Sequence, residues 1–319
     1  MARKANGSKS IAEALRVAQR SIARKNRARE RYEAEIAARV PGEGYEPSIV
    51  SFIDVLGFRN LLATRHAHDI RDVLMKLREF TAPFEERLPR PVKDARTLSR
   101  AYAESVSDAI VRVRVYDTMY HDGAFFREMI DLLHAQIECI GHGVFIRAGV
   151  AIGSAHVGVR GEGPIFGPAM VRAYEIETNE AVYPRIVVDT AAYQSFLDDA
   201  RLRMQQHCLQ EEIHYVDRLL RVDKDGKHFI DYLVASETEF DSPASYFLFL
   251  ERHAILVRTN LATTTTRVRE KFEWLAAYHN SVVENILAQF AEGRRSVAAF
   301  IAEFGTDPVT FLQAAAVRP

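Results

Sequence analysis

Cysteine is scarce in this 319-residue chain: only Cys139 and Cys208 occur. Two cysteines so placed build no disulfide framework and lack the spacing of a zinc site, which fits a reducing compartment. Long apolar runs are missing as well, and none approaches the roughly 20 residues of a membrane span. Met1 to Arg39 holds no apolar stretch of the kind a secretory signal carries. Nor does one sign of charge dominate. The chain has 42 Lys and Arg against 43 Asp and Glu, for a formal net charge of −1, so no global field draws it to nucleic acid or an anionic membrane. There is no internal repeat, and low complexity is confined to Thr263–Thr266. These absences predict a cytoplasmic protein with no stable nucleic-acid or membrane binding.

What is present is a hydrophobic content of 48%, ordinary for a globular core, arranged in three stretches. Residues 1–46 form a basic helix and linker: Ile11, Leu15, Val17 and Ile22 recur at helical spacing, and PGEGYEP (Pro41 to Pro47) breaks the pattern. Such a helix docks on a partner or frays in solvent more readily than it touches nucleic acid. Residues 47–200 alternate strand and helix. A strand over Ile49–Val55 is followed by Gly57 and a helix around Asp69–Phe84. A second strand contains SVSDAIVRVRV, where Arg112 and Arg114 alternate with valines and predict one wet face. A helix over Gly123–Ile140, a strand VFIRAGVAIG, a helix PAMVRAYEIETNEA starting at Pro168 and a short strand RIVVD complete it. The order predicts an α/β fold with a mixed or antiparallel sheet flanked by helices. Residues 201–319 predict a hairpin turning at Asp225-Gly226, helices over Ser242–Leu256 and Thr265–Gly293, and a short final helix.

The stretch SIVSFIDVLGFRNLL (Ser48 to Leu62) places Asp54 inside an apolar run. A buried carboxylate must be neutralised or compensated. SVSDAIV sets Asp108 in a matching apolar context on the second strand. Neighbouring strands would let the two share divalent cations, with magnesium or manganese suited to oxygen ligands that leave room for water and substrate phosphates. Taken singly, each Asp is better explained as a strand-end residue satisfied by backbone N–H groups; the two together, in matching apolar settings, favour metal binding.

FIDVLGF resembles the first metal motif of class III nucleotidyl cyclases, roughly F-x-D-I-x-G-F. SVSDAI resembles the second, the hairpin aspartate. IRAGVAIG is similar to the arginine-glycine strand that follows, and IFGPAMVRAYEIE sits where that family has its G-x-x-V-N-x-A-x-R-x-E helix. The resemblance covers roughly Ile49 to Asp189. It implies a ferredoxin-like, palm-type βαββαβ core and two Mn²⁺ or Mg²⁺ ions per site held by Asp54 and Asp108, with the Val55 carbonyl as a further ligand. It also implies attack of a ribose 3′-hydroxyl on the α-phosphate, and a homodimer with sites between protomers. The backbone N–H groups of Leu56, Gly57 and Phe58 run into a helix N-terminus and are expected to meet the β- and γ-phosphates.

The sequence departs from the purine cyclases of that class. Four residues before the hairpin aspartate they carry a base-reading lysine; here the residue is Glu104. Strand alternation puts Tyr102, Glu104, Val106 and Asp108 on one face, and Val50 and Phe52 on the face of Asp54. Phe52, Tyr102 and Glu104 thus line the expected base pocket. By the family register the transition-state asparagine falls at Val171 and the arginine at Glu175. Arg172 is the nearest cation able to stabilise charge on the α-phosphate, ahead of Arg147 and Arg160.

This combination resembles the pyrimidine cyclases of the bacterial Pycsar antiphage systems. The shared features are the F-x-D-x-L-G-F opening, a serine before the hairpin aspartate, G-P-A-x-x-x-A-Y-x-x-E, Y-P-R-I-V-V-D (Tyr183 to Asp189) and the late W-L-x-x-Y-H-N (Trp274 to Asn280). The resemblance implies a cytoplasmic enzyme that makes cyclic UMP or cyclic CMP from UTP or CTP, with UTP favoured. Its product would act on a separately encoded effector. A purine cyclase with another base-reading code, and an inactive cyclase-like regulatory partner, are the competing expectations.

Overall fold

The run Ile49–Val55 is dense in Val, Ile and Phe, residues that fit a pleated surface, and it forms the middle of β1 (Glu46–Val55). A computed structural model describes residues 44–82, 98–158, 164–264 and 266–318, with scattered exposed helical positions between 20 and 31. The remainder of the basic N-terminal helix, and Arg160, lie outside the described residues. One mixed sheet of seven strands runs β2-β3-β1-β4-β5-β7-β6. Its members are β2 (Arg100–Val106), β3 (Ala109–Val115), β4 (Ile146–Ala155), β5 (Ile186–Val188), β6 (Leu220–Val222) and β7 (His228–Ile230). Only β4 and β5 pair in parallel; the other neighbours are antiparallel. The first four strands and the helices between them follow the βαββαβ plan expected from the sequence.

Alternation along β1 feeds two apolar layers. Ile49 and Ile53 point to the larger one, built with Phe125, Met129 and Leu133 of α3 (Ala124–Gly141) and with the C-terminal helices α8 (Pro243–Thr263) and α9 (Thr266–Ala291). Val50, with Val111 and Val113 of β3, points to the smaller one, closed by Ala169, Ala173 and Ile176 of α4 (Pro168–Asn179). The helix expected over Asp69–Phe84 forms as α2 (Ala67–Thr81), with the separate short α1 (Phe58–Thr64) ahead of it, and the final helix is two, α10 (Val297–Phe304) and α11 (Pro308–Ala315). The predicted C-terminal hairpin forms and joins the same sheet at its β5 edge, with α5 (Thr190–Asp198) and α6 (Leu209–Asp217) before it in the chain and α7 (Tyr232–Ala235) after it.

Two sequence expectations are corrected. SVSDAIVRVRV is not one strand but the hairpin β2–β3, with Ser107 and Asp108 as its two-residue turn. Ser107 has φ 59°, a left-handed value that two-residue hairpin loops require and that rarely falls on a non-glycine residue. The predicted wet face of β3 is also buried: Arg112 and Arg114 are only 2% and 1% exposed. Both Nε atoms donate to Glu128 of α3 at 2.9 Å, and Asp131 accepts from both guanidinium groups. Arg112 Nη1 also donates to the Thr81 carbonyl at 2.8 Å, an end acceptor that α2 cannot satisfy itself. Strand β3 thus carries charge inward because a helix supplies the opposite charge. Replacing Glu128 with Leu should lower the urea-unfolding free energy by about 3–5 kcal/mol, the cost of leaving buried charge uncompensated.

A second buried polar chain ties the C-terminal helices together. The Ala315 carbonyl can only accept, so His279 donates to it through Nε2–H at 3.2 Å and presents an unprotonated Nδ1. His253 must then donate Nδ1–H to that atom at 3.1 Å and accept from the Tyr232 hydroxyl at 2.7 Å. Each step requires a neutral ring. Burial drives the His253 pKa well below its ordinary value and lowers that of His279 to about 4. Above pH 6.5 both folded and unfolded rings are neutral, so the contribution is complete there. It is lost as pH falls from 6.5 toward 4, because only the unfolded chain takes up the protons. Unfolding free energy by urea titration should therefore drop between pH 7 and pH 5, by about 2 kcal/mol per ring. A value constant across that window would contradict the neutral chain.

Candidate functional site

Register decides what stands beside Asp54. Near the end of β1 it faces Ala109 on one side and Arg147 on the other. In the next row, Glu104, Val111, Phe52 and Gly149 are aligned; beyond it come Tyr102, Val113, Val50 and Ala151. Directly paired residues share a face, so the expected base-pocket residues and Asp54 lie on one side of the sheet, under α4. Asp108 comes to this end through the hairpin turn rather than on a strand. It is near enough that its charge helps raise the Asp54 pKa. Leu56 N–H donates to Phe145 O, so alternation along β1 turns the Val55 backbone groups away from β4 and toward the Asp108 turn.

The Asp54 side chain is 19% exposed. Burial lifts its pKa to about 6; the charges of Glu177 and Asp108 add to this and Arg147 opposes it. Arg147 donates through Nε and Nη2 to one Asp54 oxygen at 3.2 and 3.1 Å. The same Nε lies 2.6 Å from Oε1 of Glu177. Two carboxylates from different elements thus share one guanidinium, and Glu177, the last residue of the G-P-A-x-x-x-A-Y-x-x-E motif, has a place at the site that the motif alone did not reveal. A signal for it exists. Ala169 and Ala173 stack on Gly153 and Gly149 of β4, and residue 177 continues that four-residue row.

The donor set suits the divalent ions expected from the sequence. Asp54, Asp108 and the Val55 carbonyl would offer hard oxygen donors at one sheet end, and a bound cation would offset the burial and the Glu177 and Asp108 charges that raise the Asp54 pKa. No group of three or more His, Cys, Asp or Glu side chains is gathered into a metal cage among the described residues. The remaining coordination positions would fall to water and substrate.

The other predicted residues are distributed as follows. Gly57 caps α1 with φ 76°, a conformation that favours glycine. The Leu56 N–H is committed to the sheet, so only the Gly57 and Phe58 N–H groups begin the helix. Phe52 packs edge-on against Tyr174 of α4, ring centroids 5.2 Å apart. Glu104 Oε2 accepts from the Ile165 N–H at 2.9 Å, which anchors the segment entering α4. Tyr102 is buried beneath the Arg100 guanidinium. Arg172 is not drawn to Asp54: it donates twice to Asp189 and pairs with Glu180. Asp189 follows β5, and its N–H bonds the Val150 carbonyl, about 10 Å along β4 from Arg147 by strand rise. Val171 and Tyr174 project from α4, 58% and 49% exposed, and Glu175 is exposed beside them.

A Cβ at Gly149 would stand 2.2 Å from the Ala173 carbonyl and 2.7 Å from the Glu177 nitrogen. Both are backbone atoms, so Gly149→Ala should push α4 off the sheet, cost about 1–3 kcal/mol and separate Glu177 from Arg147. Thermal denaturation together with a structure of the variant checks this; an unshifted α4 would contradict it.

No protein-family model matches the sequence, and no curated protein does. Among solved structures, the chain is similar to the monomeric guanylyl cyclase domain of a RhoGC fusion protein from the aquatic fungus Blastocladiella emersonii. That match has 16% identity and a TM-score of 0.36, and covers 59% of this chain and 96% of the other. The guanylyl cyclase Cya2 matches at 16% identity and a TM-score of 0.33, covering 48% and 80%. A bacterial light-regulated adenylyl cyclase matches at 13% and 0.31, covering 47% and 79%. All three scores lie below 0.5, so the chemistry of the site rests on its own residues.

Proposed function

We propose that the chain is a nucleotide cyclase that converts a pyrimidine nucleoside triphosphate, UTP in preference to CTP, to its 3′,5′-cyclic nucleotide and pyrophosphate. The observation that carries the reading is the approach of Asp54 and Asp108 at one end of a βαββαβ sheet, where burial and the neighbouring carboxylates raise the Asp54 carboxyl to about 6. Two Mn²⁺ or Mg²⁺ ions held by Asp54, Asp108 and the Val55 carbonyl would supply charge neutralisation and a lowered pKa for the attacking 3′-hydroxyl.

The chain's own groups have distinct parts in this reading. Gly57 and Phe58 N–H groups orient the outer phosphates. Arg147, on the same sheet end, neutralises phosphate charge. Phe52 and Tyr102 would narrow the base site to a single ring by their bulk. Glu104, whose Oε2 already accepts from Ile165, offers its other oxygen to an exocyclic amine or ring N–H.

Homodimerisation fits the surface. Tyr45, Phe166, Val171 and Tyr174 are large, apolar and exposed. Tyr45 and Phe166 are in ring contact, and Tyr174 touches Phe52 beside the site. A partner covering this patch would bring its own α4, with Arg172, to the open side of Asp54. Residues 47–200 are then the catalytic core, with 201–319 as its C-terminal extension. The cyclic product would be a second messenger acting on a separately encoded effector, in keeping with the antiphage resemblance.

Incubating the purified protein with each of the four NTPs and Mn²⁺ should yield cyclic UMP as the main product. Preference for ATP or GTP would overturn the pyrimidine assignment, and no cyclic product from any NTP would overturn the cyclase reading. Asp54→Ala and Asp108→Ala should each reduce turnover to background while light scattering still reports a folded dimer. In competition assays, Tyr102→Ala should relax exclusion of ATP and GTP more than it weakens use of UTP, because loss of apolar fit is worth only about 1–3 kcal/mol.

A further inference from the structure

The Arg147 guanidinium is gripped unequally by its two carboxylates. Both of its bonds to Asp54 fall on a single oxygen, Oδ2, at 3.2 and 3.1 Å. A well-formed arginine–carboxylate pair is a parallel fork on two oxygens at about 2.7–2.9 Å. Glu177 Oε1 lies 2.6 Å from Nε, yet no N–H is aimed at it, and it is left a buried acceptor without a hydrogen bond; the Glu177 side chain is almost wholly buried, whereas Asp54 keeps part of its surface in solvent. Glu177 is itself fixed, since α4 sits on Gly149 with no space for a Cβ, and Thr178 Oγ1 donates to its second oxygen at 3.1 Å. Arg147 also borders a cavity of about 330 Å³ lined by Thr178, Val182, Tyr183, Val268, Glu270 and Lys271.

We propose that Arg147 is an internal counter-ion that holds the cation position at Asp54 until a divalent ion takes it, and that Glu177 is the positioning residue that receives the displaced guanidinium. This rests on the metal-binding part of the cyclase reading. A divalent cation and a guanidinium cannot both contact one Asp54 oxygen without strong like-charge repulsion. The ion takes Oδ2, and the guanidinium turns its N–H groups to the Glu177 oxygen that accepts no hydrogen bond in the ion-free site. Glu177 thus strengthens metal binding without touching the metal. Without an ion, the guanidinium keeps the buried Asp54 from standing uncompensated.

The test is Mn²⁺ affinity of the nucleotide-free protein, by titration calorimetry or the electron paramagnetic resonance signal of unbound Mn²⁺, for wild type, Arg147→Gln, Glu177→Gln and the double variant. Arg147→Gln should bind Mn²⁺ about tenfold more tightly and Glu177→Gln about fivefold more weakly, magnitudes usual for coupled sites. In the double variant the Glu177→Gln effect should shrink to less than about twofold, because no guanidinium remains to be received. Should Arg147→Gln not fold, Arg147→Met supplies the same comparison. Unchanged or weaker Mn²⁺ binding in Arg147→Gln would overturn the counter-ion role. An equal Glu177→Gln effect in both backgrounds would overturn the receiving role, since it would mark only a loss of nearby negative charge. Wild-type protein that binds no Mn²⁺, or Asp54→Ala that binds it as wild type does, would sink the metal reading itself.

Discussion

The approach of α4 onto β4 governs the geometry of one whole side of the molecule. Gly149 and Gly153 remove the side chains that would hold the helix off, and Ala169 and Ala173 fill the narrow gap. With the helix that low, its backbone contacts the sheet directly and its flanking side chains have fixed positions. Glu177 reaches Arg147, Tyr174 reaches Phe52, and Val171 and Glu175 are left facing outward. A helix at the usual packing distance would place none of these groups so closely. Small residues, rather than polar ones, therefore set the precision of the polar site.

Charge is buried on both faces of the sheet, with opposite degrees of completion. Beneath β3, two arginines meet Glu128 and Asp131, and further donors and acceptors from Ser51 and Thr81 finish the network. Nothing there invites an outside ion. On the α4 face, Asp54, Asp108 and Glu177 outnumber the single cation Arg147 bonded among them. The first arrangement specifies how α3 docks, and the second carries a deficit that a ligand can fill.

Much of this was legible in the sequence, and the failures have physical causes. Strands β1, β4 and β5 and the helices α3 and α4 follow from local periodicity, and Asp54 stood out as a carboxylate in an apolar run. Arg112 and Arg114 misled because alternation reports which residues share a face and not what covers it; their partners Glu128 and Asp131 lie on a helix more than ten residues later. The residue pattern alone hid the β2–β3 turn, which only the family resemblance pointed to, because its left-handed position is held by Ser107 and not by glycine or asparagine. Arg172 was a reasonable cation by spacing, yet Asp189 and Glu180 claim it within the protomer. Glu177 closes the G-P-A-x-x-x-A-Y-x-x-E motif, yet its role stayed hidden because the motif does not say which face it serves; the alanines one and two turns before it mark the buried side of that helix.

Arg185 has no exposed surface. It is stacked among the rings of Tyr183, Phe229 and Trp274 and paired with Asp223 and Asp225. All but one of those partners emerge from the ribosome well after Arg185 itself. Until they arrive, β5 has β4 as its one neighbour in the final sheet order, and a guanidinium beside it has no counter-charge for its burial. The nascent chain therefore cannot close this part of the sheet in step with its synthesis. Completion waits for the hairpin and the first turns of α9, and the segment Thr178–Tyr183 that walls the Arg147 cavity settles only then.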